Sequence, residues 1–139
     1  MSAAATVTPL ATFRDLCIDA NDPQVVGAFW AAVLGRTAEE AGQGDGVTPD
    51  VFLQAGPDGG PSIYVNGVPE PKTGKVRLHV DVTLEPGQEI TDLLKLGATV
   101  VTEPGEVRWW VLADPGGNEF CAFLPETDAT NDADAEVAV

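Results

Sequence analysis

The chain is poor in histidine, cysteine and basic residues. It has one histidine, His79, in 139 residues, which excludes a site needing several imidazoles from one subunit. Two cysteines, Cys17 and Cys121, are too few for a disulfide scaffold and fit a reducing, cytoplasmic compartment. Bases number 7 against 22 acids, for a net charge of −15. A field of that sign repels nucleic-acid phosphates and anionic lipid, so neither is an expected partner. No apolar run approaches the roughly 20 residues of a membrane-crossing helix. The opening MSAAATVTPLATF has no basic stretch and no long apolar core, so no secretory signal is expected. What remains is ordinary for a soluble globular chain, 44% hydrophobic and 21% charged, with the length of one domain and one sizeable core.

Residues 126–139, ETDATNDADAEVAV, carry five acids and no base and read as a flexible acidic tail. They hold a third of the net charge. Ahead of them the pattern is regular. Leu16, Ile18 and Ala20 alternate with Asp15, Cys17 and Asp19, which predicts a strand over Phe13–Ala20. Asn21 or Asp22 can cap a helix whose first turn accepts Pro23. Val26, Phe29, Trp30 and Val33 form its apolar stripe, and Leu34-Gly35 ends it. Short strands are expected at Val51–Ala55 and Ser62–Val65, with a connector over 66–74. The pattern then restarts: a strand over Val76–Leu84, a helix over Pro86–Leu96 ending in Leu96-Gly97, and a strand over Ala98–Thr102. Strands Val107–Ala113 and Glu119–Leu124 flank the turn sequence DPGG.

The two Leu-Gly stops lie about 62 residues apart, the mark of two similar modules sharing one core. Each helix covers one face of its strands and leaves the other free to line a cavity. The glycine-rich pieces GQGDG (42–46) and GPDGG (56–60) lack the strand–glycine–helix order of nucleotide loops.

The segments DANDPQVVGAFWAAVLG (19–35), VPEPKTGKVRLHVDV (68–82), LLKLGATVV (93–101) and WVLADPGGNEFCAFLPE (110–126) resemble the vicinal oxygen chelate superfamily, and its glyoxalase-like domain branch most closely. That superfamily includes glyoxalase I, extradiol dioxygenases and bleomycin-resistance proteins. The resemblance covers about residues 12–125. It implies an α+β fold of two βαβββ modules, one over about 12–67 and one over about 75–125. Their strands form a cup-shaped sheet with helices on the convex side and a pocket on the concave one. It also implies a homodimer, a small-molecule ligand, and either no cofactor or one divalent metal. The implied metal positions are Asp15, Asn66 (Tyr64 if the register slips), His79 and Cys121. Only His79 has the family's usual residue type, so no tightly bound metal is expected.

Period-two alternation puts three sets on the inner face: Asp15/Cys17/Asp19, Arg77/His79/Asp81 and Glu119/Cys121/Phe123. Polar residues concentrated opposite a core mark a ligand pocket. His79 is open to three roles: metal ligand, general base or hydrogen-bonding pocket residue. Cys121 is open to metal ligation with His79 and Asp15, to nucleophilic work, or to inert burial. Glu119 can reach a metal or serve the turn. Arg77 can pair with Asp81 or Asp19. Trp109 and Trp110 point to opposite faces, so one packs and the other is open to lining the pocket or to packing as well. Asp15, Asp19, Asp81 and Glu119 against Arg77 imply a cationic or neutral aromatic ligand, held by sequestration. The alternative function is a metal-dependent lyase, isomerase or dioxygenase.

Overall fold

The computed structural model describes residues 5, 7–44, 48–105 and 108–125. The acidic segment 126–139 lies outside them, as do Gly46 of the first glycine-rich piece and Val107. Alternation of apolar and polar side chains makes Leu16–Ala20 the first strand, β1. It starts later than the expected Phe13, which is exposed, because pairing with its neighbour strand begins at Leu16.

Helix α1 spans Pro23–Leu34. Asp22 caps it, accepting a hydrogen bond from the Val25 amide at 3.2 Å. Pro23 sits in the first turn, where the missing amide costs nothing. Gly35 closes the helix in the left-handed conformation, φ 62°. The apolar stripe falls inward: Val26, Phe29 and Trp30 are buried, and Val33 packs at the margin of the core. A methyl group at Gly27 would lie 2.8 Å from Val51 Cβ. Glycine there lets the helix sit directly on the sheet.

Strands β2 (Ala38–Glu40), β3 (Val51–Leu53) and β4 (Ile63–Gly67) complete the first unit. β2 has no counterpart in the sequence reading. Its three residues are all exposed, so no hydrophobic alternation marks it, and it exists by pairing with β3 at the sheet edge. The second unit repeats the plan with β5 (Asp81–Thr83), α2 (Ile90–Lys95), β6 (Thr99–Thr102), β7 (Trp110–Ala113) and β8 (Glu119–Phe123). The sheet orders are β1-β4-β3-β2 and β5-β8-β7-β6. β1 and β5 run parallel to β4 and β8, and the remaining neighbours are antiparallel. The fold is therefore α+β, built from two βαβββ units.

Several expected elements are shorter than their patterns, and two of these bear on the second sheet. The helix expected over Pro86–Leu96 begins only at Ile90, because Gly87 takes φ 90° and breaks the first turn. The Glu89 amide donates to Asp92 at 2.8 Å, which sets the start of α2. The strand expected over Val76–Leu84 pairs only at Asp81–Thr83. Arg77 and Leu78 form a bend, and Leu78 is 89% exposed rather than sharing a buried face with Val80 and Val82.

One core joins the units. Phe120 on β8 makes edge-on contacts with Trp30 at 5.0 Å and lies 5.9 Å from Phe29, both on α1. Trp30 Nε1 also donates to Asp114 Oδ2 at 2.9 Å, tying α1 to the turn between β7 and β8. Among the described residues no helix is long and apolar enough to cross a membrane.

Candidate ligand cavity

The cavity follows from parity along three neighbouring strands. On β8, Phe120 and Ala122 enter the core, so Glu119, Cys121 and Phe123 face the other way. Val111 on β7 and Asp81 on β5 are both paired with Cys121 and share its side. Trp110 is paired with Ala122 and packs against the core. Trp109 therefore takes the open side, where its ring meets Phe123 at 5.4 Å and 37°. Together with Lys75, His79 and the edge of Phe120, these residues enclose about 270 Å³.

Part of the cavity lining is aromatic, Trp109 and Phe123. The polar end is a cluster of three groups. His79 Nε2 lies 3.3 Å from Asp81 Oδ1. The donor atoms of His79, Asp81 and Cys121 all fall within 4.8 Å of one another. Burial pushes the Cys121 thiol's pKa up, and the Asp81 charge and its hydrogen bond push it further, against a smaller pull from Lys75. The thiol stays protonated at neutral pH, which makes it a donor to Asp81 rather than a nucleophile.

Glu119 has a different partner. Its carboxylate lies 2.7 Å from Lys72 Nζ. That ammonium, with help from the Val76 amide, holds the carboxyl below the usual range despite some desolvation. Two cations thus stand at the cavity beside its two acids: Lys72 pairs with Glu119, and Lys75 shares the lining with Asp81. Of the four acids expected to share a pocket, Asp15, Asp19, Asp81 and Glu119, this cavity brings together Asp81 and Glu119. Asp15 and Asp19 belong to the first sheet and line no part of the cavity.

The other expected residues are placed elsewhere. Asp15 lies 3.9 Å from Arg14. Cys17 is exposed on β1, opposite Tyr64; its pKa is raised by partial burial and by the charges of Asp19, Asp15 and Asp50. Asn66 donates to Asp19 at 3.3 Å. Tyr64 donates to the buried Asp50 at 2.8 Å, a bond that raises the phenol's pKa. Arg77 is exposed in the bend and lines no part of the cavity. Its two expected partners are otherwise engaged, Asp81 by His79 and Asp19 by Asn66. Trp110 packs in the core. Of the ten pocket residues read from the sequence, His79, Asp81, Trp109, Glu119 and Cys121 meet at one cavity, and Asp15, Cys17, Asn66, Arg77 and Trp110 do not.

Lys72 and Lys75 are absent from the sequence reading, which passes over 66–74 as a connector. Their place depends on a chain reversal that brings them back to β8, and no local pattern records it. Asp114 had a signal in DPGG, since aspartate at the first turn position accepts from the turn's own amides. Gly116 and Asn118 donate to it at 2.9 and 3.1 Å.

The divalent metal implied by the resemblance requires Asp15 and Asn66 or Tyr64 together with His79 and Cys121. The first three lie at or just before the first sheet and line no part of the cavity that holds His79 and Cys121. The four-residue set does not fit a metal within one chain. His79, Asp81 and Cys121 alone offer nitrogen, oxygen and sulfur donors of kinds that zinc accepts.

The sequence pattern of the glyoxalase-like domain family matches residues 15–123. No curated protein matches the chain. Solved structures share its fold. The fosfomycin resistance protein FosX from Mesorhizobium loti superposes with a TM-score of 0.61 at 12% identity, over 90% of this chain and 98% of that one. FosX from Listeria monocytogenes gives 0.60 at 14% identity, over 86% and 94%. A glyoxalase/bleomycin resistance protein from Albidiferax ferrireducens T118 gives 0.57 at 19% identity, over 82% and 98%. A family pattern spanning both βαβββ units, on a chain with the same sheet order in each, means that this protein belongs to the glyoxalase-like domain family of the vicinal oxygen chelate superfamily.

Proposed function

We propose that the cavity on the second sheet binds a small, neutral, planar organic molecule by sequestration, without a metal. The observation that carries this reading is the Trp109–Phe123 pair lining the same cavity of about 270 Å³ as the His79–Asp81–Cys121 cluster. A volume of that size suits a single ring system with a few substituents. The polar end selects for hydrogen-bond donors. Asp81 places a carboxylate among these groups, so the polar end offers acceptor oxygens to a ligand that donates hydrogen bonds. A phenol, aromatic amine or amide fits that end, and an aromatic carboxylate does not. Binding without turnover needs no activated nucleophile, in keeping with a protonated thiol. The same reading takes a homodimer in a reducing, cytoplasmic setting as the working unit. The second unit alone builds the cavity.

The test is a tryptophan-fluorescence titration with phenol, aniline, benzoate and benzyltrimethylammonium. Phenol and aniline are expected to bind tighter than benzoate. Trp109→Ala is expected to weaken them by about tenfold, the worth of one aromatic contact plus its buried area. Trp110→Ala, on the core side, is expected to lower stability instead. A preference for benzoate, or undiminished binding in Trp109→Ala, refutes the reading.

The convergence of His79, Asp81 and Cys121 favours a second reading, a metal-dependent lyase, isomerase or dioxygenase. Elemental analysis of protein purified without an affinity tag separates the two. Metal is expected well below one equivalent. A near-stoichiometric content of zinc, iron, nickel or manganese that disappears in His79→Ala establishes the second reading.

A further inference from the structure

We propose that residues 72–79 form a gate on the cavity, latched shut by Glu119. Residues 76–79 of this stretch alternate like the start of a strand, yet they leave the sheet. The last backbone tie is the Cys121 amide donating to the Val80 carbonyl at 3.0 Å. Upstream of it the chain bends at Arg77 and Leu78 and returns to β8 through side chains. Lys72 Nζ lies 2.7 Å from the Glu119 carboxylate, and the Val76 amide supports the same charge. The Lys72 stem rests near Gly117, where a methyl group would sit 3.5 Å from Lys72 Cγ. Between these two attachments, Lys75 and His79 form part of the cavity wall.

The attachments differ in strength. Glu119 stands on β8 next to the fully buried Phe120, so the latch plate is rigid. Apart from the Lys72 side chain the segment it holds buries little, since residues 73–75 and 77–79 are all exposed. Segments with few buried apolar contacts open at the low end of the local stability range. Gly74, at φ 70° with open space around its α-carbon, supplies a pivot that other residues resist. A partly buried ion pair is then the main restraint on the segment. Breaking it frees Lys75 and His79 to swing from the wall and opens a side entrance next to Cys121. That the entrance serves ligand exchange rests on the binding function proposed above. The gate itself is tested without any ligand.

The two cysteines provide the readout. Cys121 is buried behind the segment, while Cys17 is exposed on the other sheet. Native protein is treated with iodoacetamide over a range of pH, and the alkylation rate of each cysteine is followed by peptide mass spectrometry. In Lys72→Met and in Glu119→Gln, Cys121 is expected to react about tenfold faster than in the wild type, the population shift that loss of one charge-assisted bond produces. The rate of Cys17 is expected to stay the same. The gain is expected at every pH, which marks access rather than a shifted thiol pKa. Amide hydrogen exchange in β7 and β8 is expected to remain slow, which separates gate opening from unfolding. An unchanged Cys121 rate in both variants overturns the gate, as does a rise seen only together with faster exchange in β8. Neither result bears on whether phenol or aniline binds, so the gate and the binding function fail separately.

Discussion

Replacing Phe120 with alanine is expected to cost about 3–5 kcal/mol of unfolding free energy, the range for deleting a fully buried aromatic ring. Phe120 is 1% exposed. Its ring lies 5.0 Å from Trp30 and 5.9 Å from Phe29, so truncation removes apolar burial and two aromatic contacts together. The gap cannot collapse easily, because α1 on one side and β8 on the other are held by their own backbone hydrogen bonds. Phe120→Leu keeps most of the volume and is expected to cost about half as much. The neighbouring Phe123 provides the contrast. It is only partly buried, on the cavity side against Trp109, so Phe123→Ala is expected to cost clearly less stability while weakening ligand binding. Urea unfolding followed by circular dichroism measures both, with the shift in midpoint at constant slope giving the difference. A loss below about 1 kcal/mol for Phe120→Ala means that α1 does not dock on β8 and that the two units do not share a core.

That docking shows how much the sequence could tell. Local periodicity was enough for α1: the stripe Val26, Phe29, Trp30 and Val33 and the stop at Gly35 are all where the spacing places them. It was also enough for β8, where simple alternation separates Phe120 and Ala122 from Glu119, Cys121 and Phe123. The repeat of strand, helix and Leu-Gly yields the two units. Periodicity fails where a contact from far along the chain decides the outcome. Residues 76–79 alternate like a strand, but the chain there follows Lys72 and Val76 to Glu119, more than 40 residues on. The choice between Trp109 and Trp110 depends on the pairing of β7 with β8, set by a hairpin rather than by either residue's neighbours. The grouping of the acids meets a related limit. Alternation says which side of its own strand Asp15 or Asp19 occupies, but not which residues share that side in space.

The hairpin register itself depends on Asp114, and its removal is the second large effect expected. Asp114 is 3% exposed and its carboxylate accepts three hydrogen bonds. Oδ1 takes the Gly116 and Asn118 amides at 2.9 and 3.1 Å, and Oδ2 takes Trp30 Nε1 at 2.9 Å. Asp114→Ala leaves all three donors without their acceptor. The turn amides can recruit water, but the indole N–H of Trp30 is buried with its ring and pays the larger desolvation penalty. A total loss of about 2–4 kcal/mol is expected. Asp114→Asn keeps the shape but replaces one acceptor with a donor, so one of the two sets of N–H groups faces another N–H, and about 1–3 kcal/mol is expected. A double-mutant cycle of Asp114→Ala with Trp30→Phe isolates the long-range bond from the turn's own. A coupling of about 1–2 kcal/mol is expected, because the pair are in direct contact. The turn fixes Val111 opposite Cys121 and Trp110 opposite Ala122, and so it places Trp109 beside Phe123. Asp114→Ala is therefore expected to speed amide exchange along β7 and β8 and to weaken the binding of phenol and aniline without touching the cavity. Zero coupling in the cycle, with binding unimpaired, means that the turn sequence alone sets the register and that α1 takes no part in shaping the site.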